Sequence, residues 1–174
     1  MTPTHPVILR PVEPRDNAGL RTIYNWAVEN TTATLDTEER SADAQDEWIA
    51  KHDGLPYPAI VAEDADGGQI VGYASLSSFN PKAGYNTTAE VSVYVHCDWH
   101  GLRIGSALLS SLLMEADRRG FVCLIALITN GNEPSLRLHR NYGFMETGVL
   151  PKVARKFGGW VEVTILHRVL GDAA

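Results

Sequence analysis

"TAEVSVYVHCDWHGLRIGSALLSSLL", residues 88–113, changes its hydrophobic period part-way along. The first part alternates, with Val91, Val93 and Val95 on one side and Glu90, Ser92 and Tyr94 on the other, as a strand does. The second part places Ile104, Leu108, Leu109 and Leu112 at helical spacing, continued by Ala116 to about Arg119. Between the two lies a turn in which Gly101 and Gly105 bracket Leu102, Arg103 and Ile104, with Ser106 one step further on. A helix start carries unpaired N–H groups and a partial positive charge. Glycine in front lets a ligand come close to the backbone, and the Arg103 guanidinium suits phosphate. A pyrophosphate is the natural guest. The alternative is plain: Gly101 makes a turn and Gly105 lets the helix pack. Neither G-K-[ST] nor a GxGxxG after the first strand is present, so the two common nucleotide fingerprints are missing.

Outward from this stretch the periods keep alternating. "VILRPV" reads as a first strand. "PRDNAGLRTIYNWAVEN" puts Leu20, Ile23, Tyr24, Ala27 and Val28 on one helical stripe, with Asp16 or Asn17 as its cap. "SADAQDEWIAKHD" is a second helix, capped by Ser41 or Asp43. "PAIVAED" and "GQIVGYASLSS" flank an Asp66-Gly67-Gly68 hairpin turn. Downstream, "VCLIALIT" has the length of a buried strand. "EPSLRLHRNYG" is a short helix with Pro134 in its first turn and Gly143 as its stop. Two last strands, "FMETGVLPKVARKF" and "GWVEVTILHRVL", join at Gly158-Gly159. Hairpins outnumber β-α-β crossovers, so the expected class is α/β (α+β): a mixed sheet with helices on both faces, rather than a doubly wound one.

The chain has 174 residues, the length of one domain, read as 1–174 without linker or repeat. It is 44% hydrophobic and 21% charged, a globular composition. A formal net charge of −6 argues against nucleic acid and anionic membrane as partners. No apolar run reaches the roughly 20 residues of a bilayer span, and "MTPTHPVILRP" lacks the apolar core of a secretion signal, so a cytoplasmic protein is expected. Cys97 and Cys123 read as free thiols, and no His/Cys cluster has metal-site spacing, so no metal is expected.

The loop before the helix resembles the pyrophosphate loop of the GCN5-related N-acetyltransferases (GNAT), written Q/R-x-x-G-x-G/A. His100 stands at the Q/R place, Arg103 at the first glycine and Gly105 at the G/A place. "AVENTTATLDTEERS", "AEVSVYV", "NEPSLRLHRNYGF" and "KFGGWVEVTILHRVL" resemble, in matching order, the phosphinothricin and methionine sulfoximine acetyltransferase branch of that family. The resemblance spans roughly residues 7 to 170. It implies a mostly antiparallel sheet of about seven strands with four helices, and a bulged fourth strand splayed from the fifth. It also implies acetyl-CoA as co-substrate, a homodimer, and direct attack of a primary amine on the thioester through a tetrahedral oxyanion.

Three chemical tasks then need residues. Glu90 is the candidate base; on the residues alone it is equally a solvated acid at a strand start. The backbone of Val93, Tyr94 and Val95 is expected to meet the acetyl and pantetheine end, with one N–H for the oxyanion. Straight strand from there to Glu90 spans about 13 to 17 Å, so the bulge or ordered water must close the gap. His139 stands four residues before Gly143, where the branch has histidine, and is the candidate donor to the departing thiolate. Tyr142 is its rival, read as core. Asn132 and Ser135 open the short helix and are expected at the pantetheine or phosphate; Asn132 is also a natural N-cap. By resemblance Ala83, Gly84 and Tyr85 line the amine pocket, with Lys82 near an acidic end; the residues alone also fit an exposed loop. Trp26 and "NTTAT" are expected to form the opposite wall, and Arg155, Lys156 and Trp160 either reach a partner's site across a dimer or belong to a plain basic hairpin on the surface. The substrate expected is a small amino acid or analogue. The alternatives are a protein N-terminus, a polyamine or a drug on the same scaffold, or a non-catalytic acetyl-CoA sensor.

Overall fold

The computed structural model describes residues 5–54 and 56–171. Residues 1–4, 55 and 172–174, which the one-domain reading and the leader reading include, lie outside the described residues. The elements are β1 (Val7–Pro11), α1 (Asn17–Asn30), α2 (Ala42–His52), β2 (Ala59–Asp64), β3 (Ile70–Ser78), β4 (Thr88–Val95), α3 (Ile104–Arg118), β5 (Cys123–Thr129), α4 (Glu133–Asn141), β6 (Met145–Lys156) and β7 (Gly159–Val169). They form one seven-stranded sheet in the order β1-β2-β3-β4-β5-β7-β6. Every neighbouring pair is antiparallel except β4–β5, which α3 connects as a crossover.

The two helix stripes cover opposite faces. Leu20, Ile23, Tyr24 and Val28 of α1 and Ile49 of α2 pack on Ala59, Val61, Ile70 and Tyr73. Ile104, Leu108, Leu109, Leu112 and Ala116 of α3 pack on Ala62, Val71, Ala74 and Leu76 with Leu136 of α4. Leu108, Leu109 and Leu112 are fully buried. Each contributes roughly 2 kcal/mol of apolar burial, which fixes α3 and therefore its N-terminus. Gly72 of β3 lets this happen at close range. A Cβ there would stand 3.0 Å from Leu108 Cδ1 and 3.0 Å from the Tyr94 carbonyl oxygen.

Three local expectations change. Ser41 caps α2 as read, accepting from the Ala44 N–H. Asp16 precedes α1 but makes no side-chain cap bond. Its carboxylate instead takes a two-pronged hydrogen bond from Arg10, at 2.8 and 2.7 Å. The β6–β7 turn is Phe157 and Gly158, at φ 50° and 77°, and Gly159 already pairs with Lys156. Both turn residues need positive φ in the tight turn that matches strand twist, and here a phenylalanine takes one of the two places. Finally, β4 carries no bulge toward β3: the register runs unbroken from Ser78↔Ala89 to Gly72↔Val95.

Candidate active site

The sheet opens without that bulge. β4 and β5 pair at Thr88↔Cys123, Ala89↔Leu124 and Glu90↔Ile125, and there the pairing stops. β4 stays with β3 as far as Val95, while β5 stays with β7 as far as Thr129. Each strand is held by its outer neighbour, so the two part. The His96 N–H donates to the Val71 carbonyl, which sets the phase of the β3–β4 ladder. In an antiparallel ladder the paired residues alternate. Tyr94 and Ser92 therefore turn their backbone groups to β3, and Val91, Val93 and Val95 turn theirs to the open side. The expected role for the backbone of Tyr94 is corrected accordingly. The Val95 carbonyl is already taken by His100 Nε2–H at 3.0 Å. Val93 is left with both N–H and C=O facing the split.

Two cavities occupy the opening and share Ala33, Val93, Tyr94, Asn132 and Ser135. The larger is about 710 Å³ and runs past Val95, Gly101, Arg103, Gly105 and Ser106 to the start of α3. There the first turn has no side-chain cap, and the first amide with an acceptor is Ala107, which donates to the Arg103 carbonyl. The N–H groups of Ile104, Gly105 and Ser106 thus meet the cavity without an acceptor among the described residues, a ready anion site. At Gly105 a Cβ would make only ordinary contact, 3.4 Å from Leu138 and 3.7 Å from Val95, so an alanine also fits, as the G/A of the pattern allows. Arg103 is the helix N-cap at φ 62°, in the left-handed region. This is where the family pattern has glycine, so the backbone shape is kept and the steric cost, roughly 1 kcal/mol, is carried by the arginine. Leu102 differs from the expectation: it packs on the α3 core and lines neither cavity. Trp26, Thr31 and Thr32, expected opposite the amine, instead form the facing wall of this larger cavity, and of "NTTAT" only Ala33 and Thr34 line the smaller one.

The smaller cavity, about 350 Å³, brings Glu90 and His139 together. Glu90 points to the α1–α2 face and His139 comes from α4, and the split lets both reach one space. Burial pushes the Glu90 carboxyl above its ordinary value. His139 is 3% exposed. Its Nδ1 lies 2.9 Å from the Ser135 carbonyl, which can only accept, so Nδ1 carries the proton. Nε2 is buried with no partner among the described residues. Burial pushes the imidazole below its ordinary value. At neutral pH His139 is therefore a neutral ring offering a lone pair. The expectation of a ready proton donor changes to that of an acceptor that can donate only after it has been loaded.

Asn132 caps α4, accepting from the Ser135 N–H, and still borders both cavities with Ser135. The Tyr142 hydroxyl donates to the Ser106 carbonyl at 2.8 Å and reaches neither cavity. Ala83–Tyr85 form an exposed single 3-10 turn that lines neither cavity within one chain, and Lys82 is exposed beside it. Their loop leaves the sheet at Ser78 and returns at Thr88, so the expected lining role is not met within one chain, although the flanking residues Ser77 and Glu90 do line the smaller cavity. Lys156 does not reach outward as expected: it is buried, and its Nζ donates to the Thr34 carbonyl of the same chain at 2.7 Å. Arg40, Trp48, Tyr24 and Tyr73 also line the smaller cavity. The sequence reading passed over them, because an arginine in "DTEERS" and aromatics on core stripes carry no pattern of their own.

The model of the acetyltransferase (GNAT) family matches residues 20–144, most of the chain. The chain belongs to the GNAT acetyltransferases. Among GNAT relatives it is 38% identical, over 87% of its length and 88% of theirs, to an L-methionine sulfoximine/L-methionine sulfone acetyltransferase of Pseudomonas paraeruginosa. It is 37% identical to a phosphinothricin N-acetyltransferase of Streptomyces coelicolor, over 98% of this chain and all of that one. A GNAT phosphinothricin acetyltransferase from Sinorhizobium meliloti, solved in complex with acetyl-CoA, superposes with a TM-score of 0.91 at 32% identity, covering 95% of this chain and 89% of that one. The mixed, mostly antiparallel sheet with four helices is the GNAT fold. No helix among the described residues is long and apolar enough to cross a membrane.

Proposed function

We propose that this GNAT enzyme moves the acetyl group of acetyl-CoA to the primary amine of a small amino acid or analogue, of the phosphinothricin, methionine sulfoximine or methionine sulfone type. One observation carries the reading: two cavities meet at the unpaired edge of Val93, one ending at an uncapped helix start and the other holding two proton acceptors. The named relatives supply the substrate class. A cavity of about 350 Å³ suits a small amine better than a polypeptide end.

Acetyl-CoA supplies an activated thioester. The N–H groups of Ile104, Gly105 and Ser106, with Arg103, hold its pyrophosphate, and Asn132 and Ser135 border its pantetheine arm. The Val93 N–H faces the carbonyl oxygen and stabilises the charge that develops there. Glu90, made a stronger base by its burial, takes the ammonium proton in its ionised form through ordered water, since unbulged strand keeps it distant. His139 Nε2 is the second acceptor, and once protonated it donates to the departing sulfur. Ala83, Gly84 and Tyr85 close the mouth over the amine.

A thiol-release assay with acetyl-CoA and a panel of methionine sulfone, phosphinothricin, polyamines and peptides tests the reading. Turnover on the amino acids is expected to exceed that on the others. No release with any amine would overturn it. Arg103→Ala is expected to weaken acetyl-CoA binding roughly tenfold by calorimetry, the worth of one charge-assisted contact. Unchanged binding would remove Arg103 from the pyrophosphate site.

The assembly proposed is a cytoplasmic homodimer. β6 is an edge strand exposing Val149, Leu150 and Val153, and Phe157 and Trp160 are exposed at its turn. Such a patch on a sheet edge calls for a partner. Sedimentation at twice 19.1 kDa is expected, and a monomer at micromolar concentration would sink this point.

A further inference from the structure

Among the described residues lining the smaller cavity there is one cation, Arg40. It sits in the segment between α1 and α2, and that segment is tied down on both sides of its peptide. The Arg40 N–H donates to Asn25 Oδ1 at 2.9 Å. Its carbonyl accepts from Asn25 Nδ2 at 3.1 Å and from Arg21 Nε at 3.2 Å. The side chain is equally fixed. The guanidinium carbon lies 3.8 Å from the centre of the Tyr24 ring and 5.7 Å from that of Trp48. Nη1 donates to Oε1 of the fully buried Gln45 at 3.2 Å. No carboxylate among the described residues lies within salt-bridge distance of it, although Arg10, Arg15, Arg118, Arg119 and Arg140 all have one.

A planar guanidinium that is locked, stacked on an aromatic face and in no salt bridge, with Asp36 held instead by the Tyr24 hydroxyl, is preorganised for a carboxylate taken from outside. The other cations near the amine pocket are otherwise occupied or exposed: Lys156 is bound to Thr34, and Lys82 stands on the surface. We infer that Arg40 is the receptor for the α-carboxylate of the amine substrate, and hence the residue that makes this site select amino acids over simple amines. The inference rests on the amino-acid reading above and specifies how it is achieved. With the carboxylate on Arg40, the α-amine stands in the same cavity as Glu90 and the Val93 edge. A site built to pair a substrate's charge rejects the analogue that lacks it more strongly than an apolar pocket rejects a missing methylene.

The test compares L-methionine sulfone with its decarboxylated counterpart, 3-(methylsulfonyl)propylamine, in wild type, Arg40→Gln and Arg40→Lys. Wild type is expected to prefer the amino acid by roughly 100-fold in kcat/KM. Arg40→Gln should lose most of that preference, chiefly through a raised KM for the amino acid, so that the kcat/KM values of the two amines converge. Arg40→Lys, which keeps charge but not the fork, should fall between; its ratio also decides the matter if the Gln variant folds poorly. Equal losses on both amines in Arg40→Gln, or an intact preference for the amino acid, would overturn the role of Arg40 and leave the acetyltransferase reading standing. A wild type that acetylates neither amine would overturn the amino-acid reading, and this inference with it.

Discussion

Glu90→Gln is expected to lower kcat roughly 10²-fold, the usual worth of a positioned general base, while acetyl-CoA binding is unchanged. The substitution keeps size and hydrogen bonding and removes only the ability to take a proton. The carboxyl lines the amine cavity, not the larger one that runs to the start of α3, so the two readouts separate. The pH dependence follows from the two acceptors. Activity requires Glu90 ionised and His139 neutral, so kcat/KM falls on the acid side. The raised Glu90 pKa moves that limb up, and the lowered His139 pKa keeps the ring out of the way near neutrality. His139→Gln should leave an acid limb set by Glu90 alone. Stability moves opposite to activity. A carboxyl whose folded pKa is raised above the unfolded one destabilises the fold at pH values above the folded pKa, and this cost vanishes below the unfolded pKa. Glu90→Gln is therefore expected to raise Tm at pH 7.5 and to leave it unchanged at pH 4. Wild-type turnover in Glu90→Gln would remove the residue as base; a lowered Tm at pH 7.5 would show that its charge is compensated in the fold.

The fold was legible because its decisive signals are local. The period change between Val95 and Ile104, the Asp66-Gly67-Gly68 turn and the alternation of hairpins and crossovers are all written in short stretches. The site was legible where one element carries it. Glu90, Asn132, Gly105 and His139 sit at positions fixed by their own strand or helix, and the structure brings them to two joined cavities. What escaped depends on pairing between distant segments. Whether Tyr94 or Val93 offers its backbone is decided by the phase of a ladder with β3, which no single stretch reveals. The protonation state of His139 depends on the Ser135 carbonyl and on burial, so histidine chemistry alone suggested a donor where the structure holds an acceptor. Lys156 read as a surface cation on a hairpin, yet a carbonyl far away in sequence draws it inward. Arg40 had no periodic neighbours to mark it, and its place is set by Asn25, Gln45 and Tyr24.

Asp16 shows how the same limit bears on stability, and it yields the largest expected destabilisation. Its position before α1 reads as an N-cap, and for a cap Asp→Ser is nearly silent because serine caps as well as aspartate. The structure assigns it other work. The carboxylate, 3% exposed, receives both Nη groups of Arg10 and the N–H of Glu13 at 2.8 Å. Arg10 is held in turn by Glu63 of β2, so one half-buried guanidinium ties β1, β2 and the entry to α1 together. Removing one partner of such a pair costs about 3 kcal/mol, because the remaining charge stays buried with less to neutralise it. For a chain of this length that is a fall of roughly 6 to 12 °C in Tm. Asp16→Ser is expected to fall almost as far as Asp16→Ala, and Asp16→Leu combined with Arg10→Met and Glu63→Gln should recover much of the loss, since no member of the clamp is then left charged. Chemical denaturation of the three variants measures this directly. An Asp16→Ser protein within about 0.5 kcal/mol of wild type, the scatter of an ordinary surface change, would restore the capping role and dismiss the clamp. The consequence reaches the site, because α1 carries Tyr24, Trp26 and Ala27 into the two cavities. A loosened α1 entry should therefore raise KM for the amine before it alters kcat, which depends on β4 and α4.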